Sequence, residues 1–286
     1  MYIYTYYVWG GLRAHHNIKS VQPNHNTHKM TAAASTTPPR EASFVADKSQ
    51  LYVFLKRFLP YDPYEALVIS LFARRKHFPA LSKNSLFLGR EIFTGGTNID
   101  DAVRRIECMQ YKTHFDNGNP IPRSAYAMYF SPTFRDVVSA FGSTTSRLLD
   151  ILNSRSDHTD PMAMFQLELC KAQVRMHYIW VGVDLDTLDP ERVKEAFTML
   201  KAANVAVQYI VSTLNGYHIL YRKQIGDTID HEMIRQFKRS TVFQKRNVHG
   251  QLVTDHWFST NTDPLIAVPG TRQGEYHVVS IIHPEE

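Results

Sequence analysis

Apolar positions along the chain fall into two periods. Leu51, Phe54, Leu55 and Phe58 recur at helical spacing and predict a helix over 48–59. Tyr64, Leu67, Leu71 and Phe72 predict a second helix over 62–75. A third is expected over 97–111, opened by Asn98 or Asp100, with Val103, Ile106 and Met109 on one face. Residues 125–130 read as a short aromatic strand. Ser131-Pro132 then opens a helix to 152, with proline in an early helical position. Residues 161–174 are helical. Residues 178–185 are almost continuously apolar, as in a strand buried on both faces. Asp189-Pro190 starts a helix to 203, where Asn204 stops it. Strands over 205–212 and 217–222 flank the turn Thr213-Leu214-Asn215-Gly216. A helix over 230–238 and strands over 265–268 and 276–282 complete the pattern, which contains no internal repeat.

From residue 178 the order is strand, helix, strand, strand, helix, strands. That suits helices packed on a mixed sheet. Residues 10–44 are rich in His, Asn, Thr, Ala and Pro without a hydrophobic period, and predict a flexible tail ending near Pro38-Pro39. Met30 offers a second start, which would make the first 29 residues dispensable. The expected division is a tail over 1–44, a helical part over 45–120 and a module over 121–286.

Composition narrows the class. With 286 residues, 43% hydrophobic and 21% charged, the chain fits one large globular domain or two small ones. No apolar run approaches the ~18–20 residues of a membrane-crossing helix. The Tyr-rich start has no preceding basic region and does not read as a signal peptide. Cys108 and Cys170 form no Cys-x-x-Cys pair, so no zinc is expected. A disulfide framework is excluded too, and an intracellular, reducing compartment is the expectation. The net charge of +5 is uneven: Arg13, Lys19, Lys29 and Arg40 face only Glu41 in the first 44 residues. Nucleic-acid binding by the rest must therefore come from a local basic surface.

Three motifs carry candidate chemistry. The first is Val183-Asp184-Leu185-Asp186. On a strand, Asp184 and Asp186 point to one face, about 6.6 Å apart at Cα. Adjacent carboxylates repel unless cations join them, and two divalent ions can clamp a phosphoryl transfer. The structural alternative is a strand end, with Asp186 and Asp189 capping the next helix. The second motif runs from Ser212 through Asn215-Gly216 to His218, with Arg222 and Lys223 beyond. Its imidazole suits either a phosphate contact or an ordinary buried hydrogen bond. The third is Thr254-Asp255, followed by Pro269-Gly270-Thr271-Arg272. The Pro-Gly turn needs no function, although its N–H groups and Arg272 could bind phosphate. Between the second and third motifs, Arg235, Lys238, Arg239, Lys245 and Arg246 form a basic stretch. It suits a nucleic-acid backbone or a solvated face.

Taken in order, these motifs resemble the archaeo-eukaryotic primase superfamily. That family's pattern is hydrophobic-Asp-x-Asp, then Ser-x-x-x-Gly-x-His, then hydrophobic-Asp before an apolar strand and Pro-Gly-Ser/Thr. The resemblance covers residues 120–282, with 125–141 similar to the family's N-terminal module. It implies an α+β primase-polymerase core: an RRM-like mixed sheet packed by helices, with an N-terminal α/β module. It implies that Asp184, Asp186 and Asp255 are catalytic and bind two divalent ions, Mg2+ or Mn2+. Asp263 is a second candidate for the third carboxylate. Ser212, His218, Arg222 and Arg272 would bind the nucleotide, and the basic stretch the nucleic acid. The implied activity is template-dependent nucleotidyl transfer from an NTP or dNTP on single-stranded DNA, without a membrane partner.

Three departures stand out. Ala267 and Pro264 occupy a stretch where the family often has Arg. The usual zinc stem is missing, and no helicase module is fused, so a helicase or other replication protein would act separately. An inactive primase-fold subunit binding DNA or a replication partner is one alternative. A metal-dependent nuclease or replication initiator is another, although the single histidine in Tyr217-His218 argues against an initiator with paired histidines.

Overall fold

A computed structural model describes residues 43–154, 160–174, 178–224, 244–246, 252–254, 258–261 and 264–281. The chain divides into two compact units, 1–40 and 41–286, and all described residues belong to the second.

Helix α1 (Lys48–Phe58) starts at Asp47, whose carboxylate accepts from the Ser49 and Gln50 N–H groups. Strand β1 (Glu65–Arg74) pairs with β2 (Ser85–Thr94). Helix α2 (Ile99–Met109) is capped by Asn98. A small hairpin of β3 (Phe115–Asp116) and β4 (Asn119–Pro120) follows. Strand β5 (Tyr126–Phe130) lies along β1, and β6 (Arg135–Asp136) pairs with the start of β1. Helices α3 (Val137–Ser154) and α4 (Pro161–Lys171) come next. Then come β7 (Tyr178–Leu185), α5 (Pro190–Ala202), β8 (Val207–Ser212) and β9 (Tyr217–Gln224). Strands β10 (Gln244–Arg246) and β11 (Leu252–Thr254) pair with each other, and β12 (Phe258–Asn261) pairs with β7. Strand β13 (Ile266–Ala267) and β14 (Arg272–Gln273) return to β5. Finally β15 (Tyr276–His277) joins β14, and β16 (Val279–Ile281) joins β8.

Two larger sheets result. The first runs β15-β14-β5-β1-β2, and the second β12-β7-β9-β8-β16. The protein is thus α+β. Every described strand pair is antiparallel, which corrects the expected mixed sheet. The reason lies in the order β7-β9-β8: β7 and β8 run parallel, but β9 is inserted between them.

Three further expectations change. Residues 62–75 hold a strand, not a helix, so 45–120 is not a purely helical part. Leu67, Ile69, Leu71 and Ala73 enter the core under α1 and α2, while Ala66 and Val68 pack with Ala140 of α3 and Leu169 of α4. A strand covered on both faces lacks the alternation that separates it from a helix. Helix α3 begins at Val137 rather than Ser131, because Asp136 accepts from the Ser139 N–H and marks the start. Phe44, placed in the tail, is buried at 1% exposure, and its N–H donates to the Gln110 side chain.

The core joins the sheets. Phe54 and Phe58 of α1 stack around Phe130, and Phe58 also meets Trp180 and Tyr209 of the second sheet. Truncating one such ring to alanine typically costs about 3–5 kcal/mol. Alternation on β7 sends Val181, Val183 and Leu185 toward α5, with Ala196, Met199 and Leu200. Trp180, Gly182 and Asp184 occupy the opposite face, toward the first sheet. Among the described residues, no helix is long and apolar enough to cross a membrane.

Candidate functional site

Asp184 sits near the end of β7, directly opposite His218 of β9. The His218 Nε2 lies 3.3 Å from the Asp184 Oδ1. Its Nδ1 accepts from the Ala267 N–H at 3.2 Å. An accepting Nδ1 places the ring proton on Nε2, the edge that lies near the carboxylate. His218 is buried, while the Asp184 side chain keeps 44% exposure, enough to meet a ligand. Both imidazole nitrogens are therefore engaged inside the protein, and the ring orients Asp184.

Asp186 follows the end of β7 and is exposed. Its carboxyl pKa is raised, first by burial among surrounding protein and then by the Asp184 charge; Lys76 and His218 oppose the rise. The capping alternative holds for Asp189, which caps α5 and whose own N–H donates to the Thr187 hydroxyl, and not for Asp186, which takes no part in that cap.

Gly216 explains the turn between β8 and β9. A Cβ there would lie 1.6 Å from the Leu185 carbonyl oxygen and 2.8 Å from the Thr187 nitrogen. The turn rests on the backbone between the two aspartates, so only glycine fits. Gly182 is equally confined, since a Cβ there would lie 2.4 Å from the Pro264 side chain. Pro264 and Ala267, where the resemblance leads one to expect Arg, thus dock the chain between the sheets.

The remaining expected residues are spread out. Ser212 pairs with Tyr217, one position out of phase with His218, and its hydroxyl meets that of Tyr276 at 2.5 Å. Arg222 lies opposite Trp180, with its guanidinium 4.4 Å from the ring centre. It is four residues from His218, about 13 Å along the strand. Arg272 donates through Nε to the Ser43 carbonyl and through Nη1 to the Glu275 carbonyl. Gly270 has φ of +80°, and its carbonyl accepts from the Ala46 and Asp47 N–H groups. The Pro-Gly turn thereby anchors the start of α1. Asp255, Asp263, Arg235, Lys238 and Arg239 lie outside the described residues, as does the whole helix expected over 230–238. Lys245 and Arg246 lie on β10, opposite Val253 and Leu252.

Sequence reading missed the facing wall. Arg74 ends β1, and its guanidinium lies 5.5 Å from the Tyr129 ring centre. Tyr129 accepts from the Gln273 amide at 3.2 Å. Its hydroxyl pKa is raised, mainly by burial, and the Asp184 charge adds to the rise. Lys76 is exposed, yet its ammonium pKa is lowered, first by burial and then by Arg74; Asp186 and Asp184 act in the opposite sense. His77 is pushed down to about 4 by burial, Lys76 and Arg74. The available signal was the run Arg74-Arg75-Lys76-His77 directly after an apolar decade.

Among the described residues, no three His, Cys, Asp or Glu side chains converge on one metal position. The donor chemistry still suits a hard cation: two carboxylates share a face, and one resists ionisation. No protein-family model, curated protein or solved structure matches the chain.

Proposed function

We propose that this chain is a primase or primase-polymerase: a nucleotidyltransferase that makes or extends primers on single-stranded DNA. The observation that carries the reading is the pairing of Asp184 with His218 beside Asp186, on the strand face that looks toward the basic end of β1. The order of the motifs resembling the primase superfamily supports it. So does the place of Asp255 in that motif order, although Asp255 lies outside the described residues.

In this reading, a 3′-hydroxyl attacks the α-phosphorus of an NTP or dNTP, a new P–O bond forms, and pyrophosphate leaves. Asp184, Asp186 and Asp255 would hold Mg2+ or Mn2+, which lowers the hydroxyl's pKa and offsets charge on the phosphorus. His218 holds the Asp184 carboxylate in one orientation. To touch a phosphate, its Nε2 edge would have to turn from that carboxylate, 3.3 Å away.

The test is incorporation of labelled rNTP and dNTP on single-stranded DNA with Mg2+ or Mn2+, with and without primer. Product from the wild type but not from Asp184→Ala/Asp186→Ala supports the reading, and product without primer makes the protein a primase. Absence of product with DNA binding intact supports a second reading, an inactive primase-fold subunit. One observation favours that second reading: the Ser212 hydroxyl and the Arg272 guanidinium are taken up by Tyr276, Ser43 and Glu275.

A further inference from the structure

The wall facing the aspartates belongs to the first sheet. Residues 66 and 68 on that face of β1 are covered by α3 and α4. Phe72 and Arg74, further along the same face, instead meet Tyr129. One continuous row then crosses between the sheets. Arg74 lies on Tyr129, Tyr129 pairs with Ala267, the Ala267 N–H donates to His218, and His218 meets Asp184. The basic end of β1 and the carboxylates of β7 are thus the two ends of one surface.

Charge on that surface is left open. Among the described residues, neither Arg74 nor Lys76 forms an ion pair, although the charges of Asp184 and Asp186 act on Lys76. Three buried polar atoms around the same wall have no hydrogen-bond partner among the described residues: Arg74 Nε, His77 Nε2 and Gln273 Oε1. Gln273 is 2% exposed, and among the described residues its amide bonds only to Tyr129. Buried groups of this kind ordinarily find partners, so several together on one wall point to a missing ligand. His77 is uncharged at neutral pH, so the cations of the wall are Arg74 and Lys76.

We propose that Arg74 and Lys76 form a phosphate-binding subsite at the end of β1, opposite Asp184 and Asp186. The inference rests on the proposed nucleotidyl-transfer reading for the source of the phosphate, either a nucleotide's triphosphate or the backbone of a single strand. The binding itself needs only the two cations. Arg74 offers a planar fork to phosphate oxygens, and its seat on Tyr129 holds that fork in place. Lys76 adds a mobile point charge at the rim.

The experiment measures binding of wild type, Lys76→Ala and Arg74→Lys in two arms. One arm titrates ATP or dATP with Mg2+; the other titrates fluorescent oligo-deoxythymidine across a salt series. Lys201→Ala, on α5, is the charge-matched control, and circular dichroism checks that each variant folds. Lys76→Ala should weaken one arm by about five- to tenfold. Arg74→Lys keeps the charge and loses the fork, so it should weaken the same arm. A loss confined to nucleotide assigns the subsite to the triphosphate. A loss confined to DNA, with the salt slope reduced by about one, assigns it to the strand. Unchanged affinity in both arms, or a wild type that binds neither ligand, overturns the proposal. Incorporation by wild type with unchanged binding by Lys76→Ala would overturn this inference alone. Lys76-dependent binding without incorporation would overturn the polymerase reading alone.

Discussion

The two walls of the candidate site are built on different physical terms. The second-sheet wall is tightly specified: His218 has both nitrogens engaged, and Gly216 leaves no room for a methyl group against Leu185. The first-sheet wall is under-satisfied: Arg74, His77 and Gln273 each keep a buried polar atom without a partner among the described residues. One wall positions two carboxylates, and the other carries positive charge that forms no ion pair among the described residues. The difference shows that preorganisation is spent on holding repelling groups in place, while the groups that would receive a ligand stay uncommitted.

The comparison breaks most directly at the carboxylates. Asp184→Ala with Asp186→Ala should lower nucleotide incorporation by at least about 10³-fold, measured by single-turnover extension, while the fold persists. Gly216→Ala should come next. The Cβ overlap with the Leu185 carbonyl forces β7 or the turn to shift, costing about 2–4 kcal/mol in urea denaturation. An equally stable Gly216→Ala would show that the turn does not press on the aspartate strand.

Two smaller effects sharpen the contrast through pH. On the first-sheet wall, the folded pKa of His77 is about 4 against 6.5 unfolded. Its contribution to stability is full above about pH 6.5 and is lost as pH falls from there toward about 4, because the unfolded chain takes the proton first. His77→Gln should flatten that part of the stability profile, followed by thermal melting. On the second-sheet wall, the raised pKa of Asp186 has the opposite sign. Its penalty is absent in acid and complete once pH passes the folded value. Asp186→Asn should therefore raise the melting temperature at neutral pH by about 1–2 °C, a small shift because the carboxylate faces solvent, and change nothing in acid.

The legible half of the site was the half whose constraints are local. Strands β7, β8 and β9 and helix α5 follow from an apolar run, an Asp-Pro cap and a turn, all within 178–224. Their register then places Asp184 opposite His218 without further information. Strand β1 was misread because α1, α3 and α4 cover both its faces, which removes the period-2 signal. Strand β2 gave no strand signal, with Arg90 and Glu91 at its centre. Glu91 is paired with Arg105 of α2, a tertiary contact no local pattern reveals. The facing wall was hidden for the same reason: Arg74 is 110 residues from Asp184, and only sheet packing brings their surfaces together. Arg272 shows the reverse error, since a basic residue after a Pro-Gly turn matched a phosphate contact and instead ties Ser43 to Glu275.

The most direct test of the central claim is template dictation. Single-stranded homopolymers of each base would be offered with all four labelled nucleotides singly, in Mn2+, to wild type and to Asp184→Asn. The account predicts that wild type incorporates only the nucleotide complementary to each template and that the variant incorporates none. Incorporation that ignores the template, or that survives in Asp184→Asn, would contradict it.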